Sequence, residues 1–362
     1  VNKKQAGVRF LTSSNPTIAA EKPANPLGRP INIGKVATCN AVFLAPMSGV
    51  SDVPFRRAAW KAGAGMVTSE MVASEALVTG QSEMQLKAES AGLPVHMVQI
   101  CGRQGGWMAR AARLATDNGA DIIDINMGCP ARRVTSGYSG SALMRDLDHA
   151  LHLIDSVVAA TPLPVTLKMR LGWDENSINA PQLAERAVNA GVQMITVHGR
   201  TRNQFYKGRA NWQAVAAVRD RIKVPLIVNG DITCREDALA AMEASGADGV
   251  MIGRAAYGSP DLPGHIAHSN GSPTGSLPHD QQPYDIVAHY EEMISFYGPE
   301  LGLRCARKHI GWWFERLCVA IEPRLKQTIM SETDPGRVIE RLHSIASAGK
   351  SVRAPSTTRD AA

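Results

Sequence analysis

The stretch "DIIDINMGCPARRV", Asp121 to Val134, opens as a buried strand and ends in something no strand needs. Ile122, Ile123 and Ile125 are core material, but the run breaks at Asn126, passes Gly128 and presents Cys129 against Pro130. Arg132 and Arg133 follow at once. A near-continuous apolar run, as opposed to an alternating one, marks a strand covered on both faces, as in a parallel sheet. Comparable runs lie at 41–47, 65–71, 94–100, 163–170, 192–200, 224–232 and 247–254. Between them the apolar spacing predicts amphipathic helices over 54–62, 70–89, 106–118, 141–160, 180–190, 212–221 and 235–245. Pairs such as "DNGAD" and "ASGAD" put glycine where a helix needs a left-handed cap before the next strand. The pattern is α/β, and a strict strand–helix repeat predicts a (β/α)8 TIM barrel. A doubly wound sheet is the alternative, but no long excursion interrupts the repeat.

After Arg254 the pattern changes. Residues 258–283 are rich in Gly, Pro, Ser and His, and read as a short helix followed by a linker. From Tyr284 to about Ser347 the period is helical throughout, with breaks near Gly298–Pro299, Pro323 and Asp334–Pro335. The expected organisation is a loose basic extension over 1–29, a barrel over 30–270 and a linker over 271–283. A small C-terminal all-helical domain over 284–347 and a loose tail over 348–362 complete it.

The chain has 362 residues, 44% of them hydrophobic and 20% charged, enough for a full core. No apolar run reaches the roughly 18 residues of a membrane span. Lys3 and Lys4 are not followed by an apolar leader, so no secretion is expected. The six cysteines lack CxxC or CxxH spacing, which argues against zinc and disulfides and fits a reducing cytoplasm. The net charge of +6 is clustered. Basic residues outnumber acidic ones over 1–35 and again over Arg304–Lys326, a distribution suited to a polyanion.

In a barrel, function gathers at the C-terminal ends of the strands. Those ends read Pro46-Met47-Ser48, Ser69-Glu70, Gln99, Asn126 with Cys129, Lys168 with Arg170, His198 with Arg200, Asn229-Gly230-Asp231, and Gly253-Arg254. Polar groups occur at every exit and almost nowhere inside the strands. Glycines after the last two strands allow backbone N–H groups to approach an anion, so a phosphorylated cofactor or substrate is expected there. Lys168 beside a flat heterocycle can stabilise negative charge. A Schiff-base lysine is the rival role, and the sequence leaves the two open.

The motifs "APMSGVSDVPFR", "SEM", "QICG", "DINMGCPARRV", "GSALM", "PVTLKMRLGW", "TVHGRTRNQFYKG", "NGDI" and "GADGVMIGRAAYG" resemble those of bacterial tRNA-dihydrouridine synthases. The B-type branch is the nearest match, and "FYGPELGLRCARKHIGWW" resembles its helical domain. Ser48 stands where the family more often has alanine. The resemblance implies reduction of a uridine C5–C6 double bond in tRNA, in the D-loop, with FMN as cofactor and NADPH as reductant. It implies that Pro46, Met47 and Ser48 line the flavin, Gln99 and Lys168 contact its ring, and His198 lies beside it. Asn229, Gly230, Asp231, Gly253 and Arg254 would hold the ribityl phosphate. Cys129 matches the catalytic cysteine, and Asn126 is placed to contact substrate or flavin.

Hydride must reach C6 and a proton C5, and a cysteine can serve as the acid. An ordinary thiol, titrating near about 8.5, is mostly protonated near neutral pH. Two guanidinium groups on the sulfur would favour thiolate, so Arg132 and Arg133 are expected to face RNA phosphates instead. Arg170, Arg200 and Arg202 are further candidates to contact the tRNA. Trp312, Trp313 and Phe314 can stack on RNA, but inside an amphipathic helix they read more readily as core. Monomer is the default assembly. The rivals are another FMN barrel acting on pyrimidines, such as a dihydroorotate dehydrogenase-like enzyme, and a non-catalytic RNA-binding regulator.

Overall fold

The computed structural model describes residues 25–268, 284–317 and 321–352. Residues 1–24, the expected linker and the end of the expected tail lie outside them. The strands in chain order are β1 (Asn32–Ile33), β2 (Val36–Ala37), β3 (Val42–Leu44), β4 (Met66–Val67), β5 (Val72–Ala73) and β6 (Met97–Cys101). They continue with β7 (Ile122–Met127), β8 (Val165–Arg170), β9 (Met194–His198), β10 (Leu226–Asn229) and β11 (Gly249–Ile252). β1 and β2 form an antiparallel hairpin, and the others make one parallel sheet ordered β4-β3-β11-β10-β9-β8-β7-β6-β5.

The strand expected at 65–71 is only β4, and β5 follows just beyond its end. β4 pairs with β3, β5 pairs with β6, and Thr68 between them bridges in parallel to Met97. The sheet therefore closes on itself, and the fold is a TIM barrel. Ser69 and Glu70, both buried, lie between β4 and β5.

The helices are α1 (Val53–Lys61), α2 (Ser74–Val78), α3 (Ser82–Ala88), α4 (Gly105–Asp117), α5 (Arg132–Thr135), α6 (Leu147–Val158) and α7 (Ala180–Asn189). α8 (Ala216–Arg219), α9 (Arg235–Ser245) and α10 (Leu262–His268) complete the barrel. The single helix expected over 70–89 is instead α2 and α3, split at Gly80 with φ +80°. The helix expected from 141 begins later. Gly140–Arg145 is 3-10, and Asp146 caps α6 by accepting the N–H of His149 at 3.0 Å, a contact of about 1 kcal/mol.

Side chains inside the barrel form layers, because residues two apart share a face. Phe43, Met66, Met97, Ile122, Met194, Ile227 and Met251 make an apolar lower layer, packed with Ile33 of the hairpin. Above it lie Gln99, Asp124, Thr166 and Thr196, all buried. The strand interiors are thus more polar than expected. At the top, register puts Lys168 beside Asn126 and His198 beside Asn229.

The helical domain consists of α11 (Ile286–Tyr297), α12 (Pro299–Arg316), α13 (Pro323–Ser331) and α14 (Pro335–Val352). Proline at the first turn of the last three sets φ where no N–H partner is lost. Tyr290, Met293, Ile310, Trp313, Phe314 and Leu342 form its core, which removes Trp313 and Phe314 from any RNA surface. Trp312 stacks on Tyr257 of the barrel at 4.2 Å. The domain docks on α1, where Phe55 meets the rings of His289 and His309, Arg57 pairs with Glu292 at 2.7 Å, and Tyr297 donates to Asp52 at 3.0 Å.

Two expected boundaries shift. Leu27 is fully buried in the barrel core, and Asn25 bonds to Ala267 and Arg235, so the folded part begins before residue 30. α14 runs past 347 to Val352.

Candidate active site

A cavity of about 800 Å³ occupies the C-terminal mouth of the barrel. Pro46, Met47 and Ser48 line one side, and Gln99, Asn126 and Cys129 another. Lys168, Arg170 and His198 lie across from them, and Asn229, Gly230, Asp231, Gly253 and Arg254 complete the wall.

The loop after β7 is held from three sides. Asn126 Oδ1 accepts the N–H groups of Gly128 and Cys129 at 3.1 and 2.9 Å. Cys129 O accepts the N–H and hydroxyl of Ser141 at 3.1 and 2.8 Å. Arg170 Nε donates to Gly128 O at 2.8 Å. Gly140, at φ +59°, passes so close that a Cβ there would lie 2.9 Å from Cys129 O. Below, Asn126 donates to Gln99 Oε1 at 2.7 Å, Gln99 donates to Asp124 at 2.6 Å, and Thr166 donates to its other oxygen at 2.6 Å. Burial raises the Asp124 pKa, opposed by those two hydrogen bonds. This relay was missed in the sequence, although an acid inside an apolar strand was a visible signal.

Lys168 donates to Asn229 Oδ1 at 3.1 Å. Desolvation, then the nearby Arg170, brings its pKa down to about 8. Desolvation, then Arg170 and Lys168, holds His198 neutral, well below the usual imidazole range. Asp231 adopts φ +54°, and its carboxylate takes Arg200 through both oxygens at 2.8 and 2.6 Å. Arg254 lies 3.8 Å from the same carboxylate and stands over the Tyr206 ring at 4.4 Å.

Two expected RNA contacts are corrected. Arg170 is 1% exposed, and its guanidinium donates to the carbonyls of Gly128, Thr201 and Phe205. Arg200 is 2% exposed, pairs with Asp231 and donates to the carbonyls of Lys207 and Gly208. A guanidinium enclosed this way cannot reach a phosphate outside the mouth; Arg170 lines the cavity, and Arg200 holds Asp231 of its wall. Arg202 is half-buried and stands with Arg145 over the Trp173 ring, at 4.6 and 5.0 Å. Arg132 and Arg133 are exposed on α5.

Several lining residues had no signal at a strand exit. Glu83 and Lys87 reach in from α3, and Phe205, Tyr206 and Tyr257 from loops. Glu70 accepts the N–H of Gly49, fixing the loop that carries Pro46 to Ser48.

The donor set suits a flavin nucleotide. Lys168 has one hydrogen-bond partner among the described residues, which leaves ammonium protons for a ring at the cavity. A Cβ at Gly253 would meet nothing nearer than Asn229 Nδ2 at 3.9 Å, so glycine keeps open a space that any side chain would fill. Arg254 adds a cation there.

A family model described as dihydrouridine synthase (Dus) matches residues 43–350. A probable tRNA-dihydrouridine synthase of Rhizobium leguminosarum bv. phaseoli is 54% identical over 311 residues, covering 86% of this chain and 96% of that one. The tRNA-dihydrouridine synthase B of Pseudomonas aeruginosa is 40% identical, covering 84% and 92%. Among solved structures, an old yellow enzyme homologue from Zymomonas mobilis aligns with TM-score 0.50 at 17% identity, over 73% of this chain and 98% of that one. A 2-naphthoyl-CoA reductase complex aligns with TM-score 0.52 at 14% identity, over 67% and 52%. At such identities the likeness is one of fold.

Proposed function

The chain belongs to the dihydrouridine synthase family and is a flavin-dependent oxidoreductase that makes dihydrouridine in tRNA; from that premise we propose how its cavity does so. The flavin is FMN, NADPH is the reductant, and the target is a D-loop uridine. Bound and reduced at the expense of NADPH, the flavin would provide the hydride that C6 of the uridine needs. Every other task falls to the chain.

Lys168 places its free ammonium protons against the pyrimidine end of the flavin, where negative charge collects, and Asn229 aims it. Pro46, Met47 and Ser48 form an adjoining wall, and neutral His198 stands beside the ring. Gln99 touches the ring only through its remaining amide proton and lone pair, since its amide is already bonded at both ends. The backbone at Gly230, Asp231 and Gly253 and the Arg254 guanidinium receive the phosphate.

The uridine leaves the base stack to enter the mouth. Cys129 then gives its thiol proton to C5 as the hydride arrives at C6, and solvent returns a proton to the thiolate. Asn126 holds the loop so that the thiol meets the base. Arg132, Arg133 and Arg202 face the RNA backbone outside. No described helix is long and apolar enough to cross a membrane. The proposed place of work is the cytoplasm, because the tRNA substrate is there.

The observation that carries this reading is that Cys129, Lys168 and His198 face one cavity from three neighbouring strands. The test is incubation of the purified protein with unmodified tRNA and NADPH, followed by detection of dihydrouridine, with Cys129→Ala as control. Protein without flavin absorbance, or wild type that forms no product, would sink it.

A further inference from the structure

A second cavity, of about 360 Å³, opens beside the first. Met84, Val134 and the buried Cys101 give it an apolar floor. Trp107 stands at its edge, half-buried, with the Arg110 guanidinium over its ring at 4.9 Å. The two cavities share a wall: Ser48, Met71, Lys87, Arg133 and Val134 line both.

The shared waist carries two cations, Lys87 and Arg133, and a third, Arg103, stands exposed in the second cavity alone. Lys87 is partly neutralised by Glu83 at 2.6 Å. Neither Arg103 nor Arg133 forms an ion pair with a carboxylate among the described residues. Two lobes, each able to take a flat ring, joined at a cationic waist, fit a long anion with its charge in the middle. A dinucleotide has that form. An RNA strand delivering a flipped base keeps its phosphates outside the mouth and makes no use of a second lobe lined by Trp107.

We propose that the second cavity binds the adenosine 2′-phosphate half of NADPH, with the pyrophosphate crossing at Lys87 and Arg133. This rests on the reading of NADPH as reductant given above. Arg103 takes the 2′-phosphate through its planar fork, and the adenine lies on the apolar floor against Trp107. Glu75, the carboxylate lining this lobe, accepts from ribose hydroxyls. The hydride must reach the flavin before the uridine is reduced, so Arg133 meets the reductant and the RNA in turn.

Two measurements on the full-length flavoprotein test this. In calorimetry, adenosine 2′,5′-bisphosphate binds the wild type, and Arg103→Ala weakens it about tenfold or more. In anaerobic stopped-flow, the wild type is reduced faster by NADPH than by reduced nicotinamide mononucleotide, which lacks the adenylate half, and Arg103→Ala cuts that preference about tenfold. A variant that keeps both the bisphosphate affinity and the preference overturns the site. So does one that keeps the preference while losing tRNA affinity, because the lobe would then hold RNA. Failure of the reductant reading is separately visible as wild-type flavin that NADPH does not bleach, and it removes this site as well.

Discussion

Asn126 holds Cys129 by accepting its backbone N–H at 2.9 Å, while its own amide donates to Gln99 at 2.7 Å. Asn126→Ala would leave two loop amides and a buried glutamine carbonyl without a partner. The expected cost is about 1–3 kcal/mol of stability. A loss of dihydrouridine formation greater than any loss in NADPH-driven flavin reduction should accompany it. Thermal unfolding and the two half-reactions check both, and a stable, fully active variant would count against the loop's dependence on Asn126.

Cys129→Ala removes a proton donor and leaves the flavin wall intact. Dihydrouridine formation should drop by about 10²–10⁴-fold, the range of a lost general acid. Flavin content and bleaching by NADPH should stay at wild-type levels. Flavin loss on this substitution would assign the residue to packing instead.

With its pKa brought down to about 8 by desolvation and Arg170, Lys168 is charged below that pH and neutral above it in the ligand-free chain. The acceptor edge of the flavin pyrimidine is met best by the charged ammonium. FMN affinity is therefore expected to fall as pH rises through about 8, and Lys168→Met should bind weakly with a flat pH profile over the same range. Fluorescence titration of flavin-stripped protein reads both.

The docking of the helical domain carries its own pH dependence. Burial pushes the His289 pKa down to about 3 and His309 well below the ordinary range. Both stay neutral in the fold but take up protons in the unfolded chain below about 6.5. Stability is then full above that pH and falls as acid is added, by an amount on the order of a few kcal/mol. Unfolding temperatures at pH 7 and pH 5 should show the drop, and His289→Gln should reduce it.

Arg132 lines neither cavity and is exposed on α5, beside the mouth. Arg132→Ala should weaken tRNA binding and lower the slope of log K against log salt by about 1. A slope equal to wild type would show that RNA does not pass that side.

The barrel was readable because each strand is an apolar run ended by glycine or a polar exit; the cavity takes residues from seven of those eight exits, but not Ser69 or Glu70, and not Arg200. What could not be read was the direction of the arginines. Arg170 bonds to backbone carbonyls on loops distant in sequence, and no pattern of side chains records such partners; Arg200 splits its bonds between the Asp231 carboxylate and two carbonyls of its own loop. The early end of the second strand was hidden for a related reason. Glu70 accepts the N–H of Gly49, a contact that depends on tertiary placement. Tyr206 and Lys87 were invisible because they enter the cavity from excursions, not from strand ends.

The relay beneath the thiol has a polarity. Asp124 accepts from Thr166 on one oxygen and from Gln99 on the other, so Gln99 turns its amide nitrogen downward and its oxygen up. Asn126 must then point its nitrogen down and its oxygen at the thiol loop. A residue at 124 without those acceptors would let both amides rotate, bringing N–H against N–H where the loop now closes. The two acceptor oxygens of one buried acid thus decide, two side chains away, which way the cysteine's own backbone faces.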